Sequence, residues 1–305
     1  RLVMLDSARI HEEEAGYKNY KASKRRIKGR TAVEPLYNTL DALNSLDAFV
    51  DIASFEQPHD LCPGIRTTFY DAGHILGSAC ILLELEESDV RRRILFSGDL
   101  GYHGRAILPD PATPPRADIV VMESTYGDRL HKKLEPSIDE LFAAINSTIN
   151  RNGNVLIPSF ALERTQEILY YLREGIEQGR LPRHLQVYLD SPMAVSATQV
   201  FRNHRECFDE ETWQVIAAGK DPFELPGLRI TRDMAESMAL KQVRGAVIIA
   251  GSGMCTGGRI RHHLRNNLWR REASVVFVGY AAEGTLARQI IEGAKEVRVL
   301  QDEVE

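Results

Sequence analysis

Cysteine is scarce in this sequence, and no two cysteines stand close together. The four cysteines among 305 residues are Cys62, Cys80, Cys207 and Cys255, and none forms a Cys-x-x-Cys pair. Such spacing favours reduced thiols in a cytoplasmic protein over a disulfide framework or a structural zinc site.

Long apolar runs and an excess of basic residues are also missing. No stretch of 18 apolar residues occurs, so we expect no membrane span. The formal net charge of −5 argues against a surface that attracts nucleic acid everywhere, so any polyanion site must be a local basic patch. The absence of a Gly-x-Gly-x-x-Gly or P-loop pattern disfavours a mononucleotide-binding α/β enzyme.

Three short apolar segments each end in a turn of small residues that carries a possible metal ligand. Residues 71–79 (Asp-Ala-Gly-His-Ile-Leu-Gly-Ser-Ala) contain His74, residues 97–101 (Ser-Gly-Asp-Leu-Gly) contain Asp99, and residues 123–127 (Glu-Ser-Thr-Tyr-Gly) begin with Glu123. Imidazole and carboxylate groups are ligands for zinc, manganese or iron. A single histidine beside glycine is more often a turn residue, but the three segments together predict a metal site.

The second half of the sequence repeats a strand followed by a helix. Near-continuous apolar strands are predicted at residues 154–158, 185–189, 246–250 and 274–278, with helices at 166–173, 194–204, from about 259, and at 285–292. Residues 297–300 form a last predicted strand, and residues 205–240 read as an irregular excursion. This alternation predicts an α/β fold with a parallel, doubly wound sheet, whose ligands bind at the carboxyl ends of the strands.

Four loops at these strand ends are candidates for phosphate binding, namely residues 158–167, 190–194, 251–258 and 279–286. Residues 158–167 contain Ser159 and Arg164, and residues 251–258 contain Ser252 and Gly253. Backbone N–H groups and hydroxyls of such loops can bind phosphate, although glycines also serve tight turns. Arg164 can bind a phosphate with two hydrogen bonds or form a structural pair with Glu163 or Glu167.

The remaining segments carry weaker patterns. We expect a helix from Arg9 capped by residues 6–8, another helix over 34–55, strands at 65–70, 79–85 and 93–96, and an exposed turn at His59. The basic run at 17–30 is either a solvated loop or a flap that contacts phosphate. The basic segment at 259–271 is either an ordinary amphipathic helix or a surface that tracks a polynucleotide, and its His262-His263 pair is not a metal motif because adjacent helical side chains diverge.

Taken together, these segments resemble the metallo-β-lactamase fold and its β-CASP branch of RNA-processing nucleases. Residues 71–79 are similar to the third metal motif, residues 97–101 to the fourth, and residues 123–127 to the acidic motif that opens the β-CASP insertion. Residues 158–167 resemble the Pro-x-Phe-Ala-x-x-Arg-x-Gln-Glu loop. The resemblance implies part of a metallo-β-lactamase αββα lobe at residues 1–125 and a β-CASP lobe at residues 126–305.

The resemblance also implies that the intact protein functions as a zinc-dependent ribonuclease. Two Zn²⁺ ions would activate a water that attacks an RNA phosphodiester, with His74 holding one ion, Asp99 bridging both and Glu123 orienting groups or moving a proton. Single-stranded RNA would enter the cleft between the lobes, and Ser159, Arg164, Ser252 and Gly253 would bind its phosphates. The resemblance also allows a homodimer in the cytoplasm.

Several expected family motifs are missing. The His-x-His-x-Asp-His signature would lie upstream of Arg1, and two further ligand histidines would lie downstream of Glu305, so we expect that something upstream has been removed or not shown. With only His74 and Asp99 as ligands, we expect residues 1–305 alone to hold no metal tightly and to be inactive. A non-catalytic RNA-binding module and a DNA nuclease of the same branch remain alternatives.

Overall fold

The computed structural model describes residues 1–24, 31–130, 132–300 and 302–304. The chain divides into two compact units, Arg1–Ser54 and Phe55–Glu305. The predicted division at residues 125 and 126 stays a prediction. No helix among the residues that the structure describes is long and apolar enough to cross a membrane.

The first unit contains the helices α1 (Leu2–Lys24) and α2 (Thr39–Ser45). The prediction that a helix starts at Arg9 was wrong, because α1 already includes the residues that were expected to cap it. The helix predicted over 34–55 is also much shorter, because Asn38 caps α2 by accepting a hydrogen bond from Asp41 N at 2.9 Å. Leu36 precedes this cap and is 83% exposed, so the leucine spacing overstated the helix.

The basic run at 17–30 falls partly outside the described residues. Residues 17–24 are the last two turns of α1, so this part of the run is a helix and not a loop. Lys21 and Lys24 lie over the rings of Tyr17 and Tyr20, at 5.0 and 4.9 Å from the ring centroids. Residues 25–30 lie outside the described residues, so the flap hypothesis remains untested there.

The second unit begins with a five-stranded sheet. Its strands, which pair in chain order, are β1 (His59–Cys62), β2 (Ile65–Asp71), β3 (Ala79–Glu87), β4 (Val90–Phe96) and β5 (Ile119–Val121). Neighbouring strands are antiparallel except β4 and β5, which are parallel. The three predicted strands are confirmed. His59 was wrongly placed in a turn, because it opens β1 and pairs with Thr67.

A second five-stranded sheet follows, with its helices. In chain order the elements are α3 (Leu134–Asn150), β6 (Val155–Pro158), α4 (Arg164–Glu177), β7 (Gln186–Leu189), α5 (Pro192–Asn203), α6 (Glu210–Ala217), β8 (Leu228–Ile230), α7 (Met234–Ala239), β9 (Ala246–Ala250), α8 (Ile260–Asn267), β10 (Ser274–Val275), α9 (Leu286–Ile291), β11 (Val297–Val299) and β12 (Asp302–Val304).

The order β10-β6-β9-β7-β8, with every pair parallel, confirms the predicted α/β sheet. One prediction about its surroundings was wrong. Residues 205–240 are not irregular, because they contain α6, β8 and α7, and β8 is an edge strand of the sheet. The last predicted strand is confirmed as β11, which pairs antiparallel with β12 and not with this sheet.

Helices cover both faces of the parallel sheet, which explains why its strands are apolar at every position. Val155 and Ile157 of β6 belong to a core with residues of α3, α4 and α5. Leu156, between them, belongs to a separate core with residues of α8 and α9. Because side chains alternate along a strand, both faces need apolar residues, as a doubly wound fold requires.

A buried carboxylate at the end of β7 connects the segment after β8 to α7 and to the start of α8. Asp190 is fully buried and accepts hydrogen bonds from His263 Nε2 at 2.6 Å, Arg259 Nη1 at 2.7 Å, Ser237 Oγ at 2.6 Å and Thr231 Oγ1. Burial alone would raise the pKa of Asp190, but these hydrogen bonds outweigh it and lower the pKa. Two members of the basic segment at 259–271 therefore stabilise the fold.

We expect Asp190→Asn to lower the free energy of unfolding by about 3 kcal/mol at pH 7, because it leaves Arg259 without its buried counter-charge and disturbs the hydrogen bond with His263. The lowered pKa of Asp190 in the folded state means that this stabilisation is present above the unfolded pKa of about 3.9 and is lost on acidification. The difference in the free energy of unfolding between wild type and variant, measured by urea unfolding, should therefore be smaller at pH 3 than at pH 7.

The matched control is Asp60→Asn, which removes an exposed carboxylate that pairs with Arg66 at 2.7 Å. This substitution should change stability far less, because solvent screens the pair. Equal losses from the two substitutions at pH 7 would contradict the role of Asp190.

Candidate functional site

The two loops that carry His74 and Asp99 are in direct backbone contact. Gly101 N donates to Ala72 O at 2.8 Å. A Cβ atom at Gly101 would lie only 1.9 Å from Gly73 O, so only glycine permits this approach. The small residues of both motifs therefore bring the two side chains to one place.

His74 is held from both its backbone and its ring. Ser78 Oγ accepts hydrogen bonds from His74 N at 3.0 Å and from Ile75 N at 3.2 Å. The ring nitrogen Nδ1 lies 3.3 Å from Leu100 O, a position that suits donation by Nδ1–H. In this tautomer, Nε2 has its lone pair available as a ligand.

Asp99 and Glu123 complete the polar side of the site. Asp99 Oδ2 lies 4.0 Å from His74 Nε2, which is too far for a hydrogen bond, and its side chain is 78% exposed. Glu123 accepts hydrogen bonds from Leu100 N at 2.8 Å and Thr125 N at 3.3 Å. Hydrogen bonding by Thr125 and then by Leu100 lowers the pKa of Glu123, so Glu123 holds the Asp99 loop as a carboxylate.

A cavity of about 460 Å³ brings most of the predicted site residues together. His74, Asp99, Glu123, Arg164 and Gly253 all line it. They come from loops of both sheets, which lie in the same compact unit. The sequence motifs therefore converge on one cavity.

Ser159 and Ser252 lie outside the described lining of this cavity. Ser159 is 1% exposed, accepts a hydrogen bond from Thr165 Oγ1 at 3.1 Å and donates to Phe160 O at 3.2 Å. Ser252 Oγ accepts from Gly257 N at 3.2 Å within its own loop. Both hydroxyls thus stabilise loops, and their roles in phosphate binding stay predictions.

Comparison with known proteins identifies relatives of this chain. Residues 165–290 match the Beta-Casp domain. The chain is 42% identical over 241 residues to the ribonuclease TTHA0252 of Thermus thermophilus. The aligned region covers 79% of the chain and 54% of that relative. The chain belongs to the β-CASP family of the metallo-β-lactamase superfamily.

Two further relatives carry different names. An RNase J-like protein of Methanocaldococcus jannaschii is 30% identical over 259 residues, covering 84% of the chain and 58% of the relative. The transcription termination factor FttA of Methanosarcina mazei is 33% identical over 249 residues, covering 80% of the chain and 38% of the relative. The β-CASP chain thus spans roughly half, or less, of the length of these relatives.

Arg164 of this β-CASP chain forms a structural pair with Glu167, which was one of the two roles predicted for it. Its Nη1 lies 2.8 Å from Glu167 Oε2, and the side chain is 33% exposed. Arg164 also lines the cavity, so the pair orients a partly accessible guanidinium towards it. The phosphate-binding role of Arg164 stays a prediction.

Arg105 is a site residue that the sequence did not reveal. Its guanidinium is almost fully buried, and its Nε donates to Glu167 Oε1 at 2.9 Å. Its Nη1 donates to His74 O at 2.7 Å and Gly73 O at 3.3 Å. Arg105 therefore joins the ligand loop of the first sheet to α4. The acids at 163 and 167, spaced for one helix face, indicated that a cation was needed but not which one.

Glu163 shares this cluster and is almost fully buried. The residue is 3% exposed, its backbone has a φ of +63°, and its Oε2 accepts a hydrogen bond from Leu76 N at 3.2 Å. Burial, followed by the neighbouring Glu167, raises the pKa of Glu163 to about 8, although Arg105 opposes this. At neutral pH Glu163 is therefore mostly protonated, whereas an ordinary glutamate would be ionised.

The donor set fits a metal ion in part. Nε2 of His74 and the exposed carboxylate of Asp99 face the same cavity, and both are ligand types that zinc accepts. Within residues 1–24, 31–130, 132–300 and 302–304, no three His, Cys, Asp or Glu side chains are grouped so that they could hold a metal ion. His74 and Asp99 are thus two candidate ligands of a larger set.

We expect Glu163→Gln to flatten the pH dependence of stability. Because the folded state raises the pKa of Glu163 from 4.5 to about 8, the folded protein keeps a proton that the unfolded protein releases, and stability falls as pH rises through this interval. From pH 5 to pH 8, wild type should lose on the order of 3 kcal/mol relative to the variant.

Urea unfolding at pH 5, 6, 7 and 8 measures this effect. Glu140→Gln is the matched control, since Glu140 is an exposed carboxylate that pairs with Lys132. Its stability should follow wild type across the series. Parallel curves for wild type and Glu163→Gln would contradict a raised pKa at Glu163.

Proposed function

We propose that the protein that contains this chain is a metal-dependent phosphodiesterase acting on RNA. The observation that carries the proposal is the convergence of His74, Asp99, Glu123 and Arg164 on one cavity, with His74 Nε2 and Asp99 Oδ2 4.0 Å apart. The Thermus relative is named a ribonuclease, which supports RNA as the substrate class.

His74 and Asp99 would hold zinc in this proposal, which invokes two ions. When bound, the zinc ions supply Lewis acidity and an activated water. The chain's own residues provide positioning. Ser78 holds the backbone of His74, and Leu100 O orients its imidazole. Glu123 fixes the backbone of the Asp99 loop through its bond to Leu100 N.

Arg164 would bind the RNA phosphate with the guanidinium nitrogens that its pair with Glu167 leaves available. The net charge of −5 means that such contacts are local, so affinity should rest on a few cations at the cavity. Single-stranded RNA is the proposed partner because a base must leave a helix to enter a cavity. A cytoplasmic location and a homodimer complete the proposal.

Asp99→Asn should abolish hydrolysis in the full-length protein while the fold survives, because the amide removes the negative charge of a proposed metal ligand. Cleavage of a labelled single-stranded RNA measures this, and a DNA strand of the same sequence tests the alternative substrate. Asp89→Asn, in the exposed turn between β3 and β4, is the control and should leave cleavage unchanged. Near wild-type cleavage by Asp99→Asn would refute the assignment of Asp99.

Arg164→Ala should weaken RNA binding and reduce its salt dependence. The loss of one phosphate contact changes the slope of log K against log salt concentration by about 0.7 for a single strand. Fluorescence anisotropy with the Asp99→Asn protein allows binding to be measured without cleavage. Arg91→Ala removes an exposed arginine that also has an acidic partner, Glu86, and should leave the slope unchanged. An unchanged slope for Arg164→Ala would assign Arg164 to the fold alone.

A further inference from the structure

The cavity has two parts that differ in chemistry. His74, Asp99 and Glu123 come from loops of the first sheet and make one part polar and acidic. Phe160, Met254 and Tyr280, from the loops after β6, β9 and β10, supply an uncharged part. Phe160 is 49% exposed and Tyr280 is 40% exposed, so both rings offer surface to a ligand.

The exposed ring of Phe160 is held by the loop after β9. A Cβ atom at Gly253 would lie 2.7 Å and 2.8 Å from the Phe160 ring carbons Cδ2 and Cε2. The absence of a side chain at Gly253 therefore lets the loop backbone lie directly against this ring. Packing against Phe160 therefore explains why this position is a glycine, without any role in phosphate binding.

Tyr280 is also held through a ring contact. It meets Tyr126 in an edge-to-face arrangement, with ring centroids 5.8 Å apart and an interplanar angle of 77°. Both exposed rings thus have a fixed neighbour, which lowers the entropy lost when a ligand stacks on them. The cavity volume of about 460 Å³ lies within the range of roughly 300–1,000 Å³ typical of small-molecule sites.

We propose that Phe160 and Tyr280 form a nucleobase-stacking site for the nucleotide beside the cleaved phosphodiester of RNA. The proposal rests on the proposed function, since it places the phosphodiester at the part of the cavity that carries His74 and Asp99. A phosphate gains nothing from an uncharged wall, whereas every base has a π-face that stacks on an aromatic ring. Gly253 then serves the ring of Phe160, and the site accepts any base because stacking tolerates sequence.

The test combines protein variants with RNA that lacks single bases. Abasic nucleotides are placed one at a time along a single-stranded RNA, and kcat/KM is measured with the full-length protein. At one position beside the cleaved bond, removal of the base should lower kcat/KM of the wild-type protein about 10-fold. Phe160→Ala should slow cleavage of intact RNA by a similar factor and show no further loss with the abasic substrate at that position.

Conservative variants separate stacking from folding. Phe160→Tyr and Tyr280→Phe keep an aromatic ring and should retain both the rate and the sensitivity to the missing base. Phe160→Leu keeps an apolar contact with the loop after β9, so it replaces Phe160→Ala if that variant does not fold. Trp213→Ala, which removes an exposed aromatic side chain of α6 outside the described cavity lining, is the control and should behave like wild type.

The outcomes distinguish this site from the proposed function. If wild type cleaves RNA but base removal slows wild type and Phe160→Ala by equal factors at every position, the stacking site is refuted and the nuclease proposal stands. If wild type neither binds nor cleaves RNA, the proposed function fails and the stacking site fails with it. Loss of sensitivity at a single position in Phe160→Ala supports the site.

Discussion

The buried guanidinium of Arg105 is the contact on which the site depends. It donates to the carbonyl oxygens of Gly73 and His74 on one side and to Glu167 on the other. An arginine suits this position because its planar group can bind several acceptors in fixed directions at once. The ligand loop of the first sheet and the start of α4 are therefore fixed to each other by one side chain that solvent hardly reaches.

The pKa values of two buried acids shift in opposite directions because the partners of the two acids differ. Asp190 receives hydrogen bonds from four side chains, and their combined effect exceeds the cost of burial, so its pKa falls. Glu163 has an acidic neighbour and a more distant cation, with its Oε1 3.7 Å from Arg105 Nη2, so burial dominates and its pKa rises. Hydrogen-bond number, and not burial alone, decides which acid remains charged in this fold.

Much of the fold could be predicted, because the strands of the second sheet are apolar on both faces and a parallel sheet covered by helices needs this pattern. The convergence of His74, Asp99 and Glu123 could be predicted as well, since each follows a strand at a turn of small residues. The helix expected over 34–55 failed because periodicity does not mark where a helix begins or ends. Asn38 caps the start of α2, and α2 ends at Ser45. Arg105 could not be predicted, because its partners lie 31 to 62 residues away in the sequence.

The loop around Gly253 shows why composition alone cannot assign a binding site. A loop rich in glycine and serine that precedes a helix suggests phosphate binding, because exposed N–H groups would point at an anion. In the structure Ser252 bonds within its own loop, and Gly253 lies where a side chain would collide with Phe160. The residues that suggest a phosphate site therefore also support an aromatic surface in the cavity. The chemistry of such a loop therefore depends on what its backbone touches, which only the tertiary structure shows.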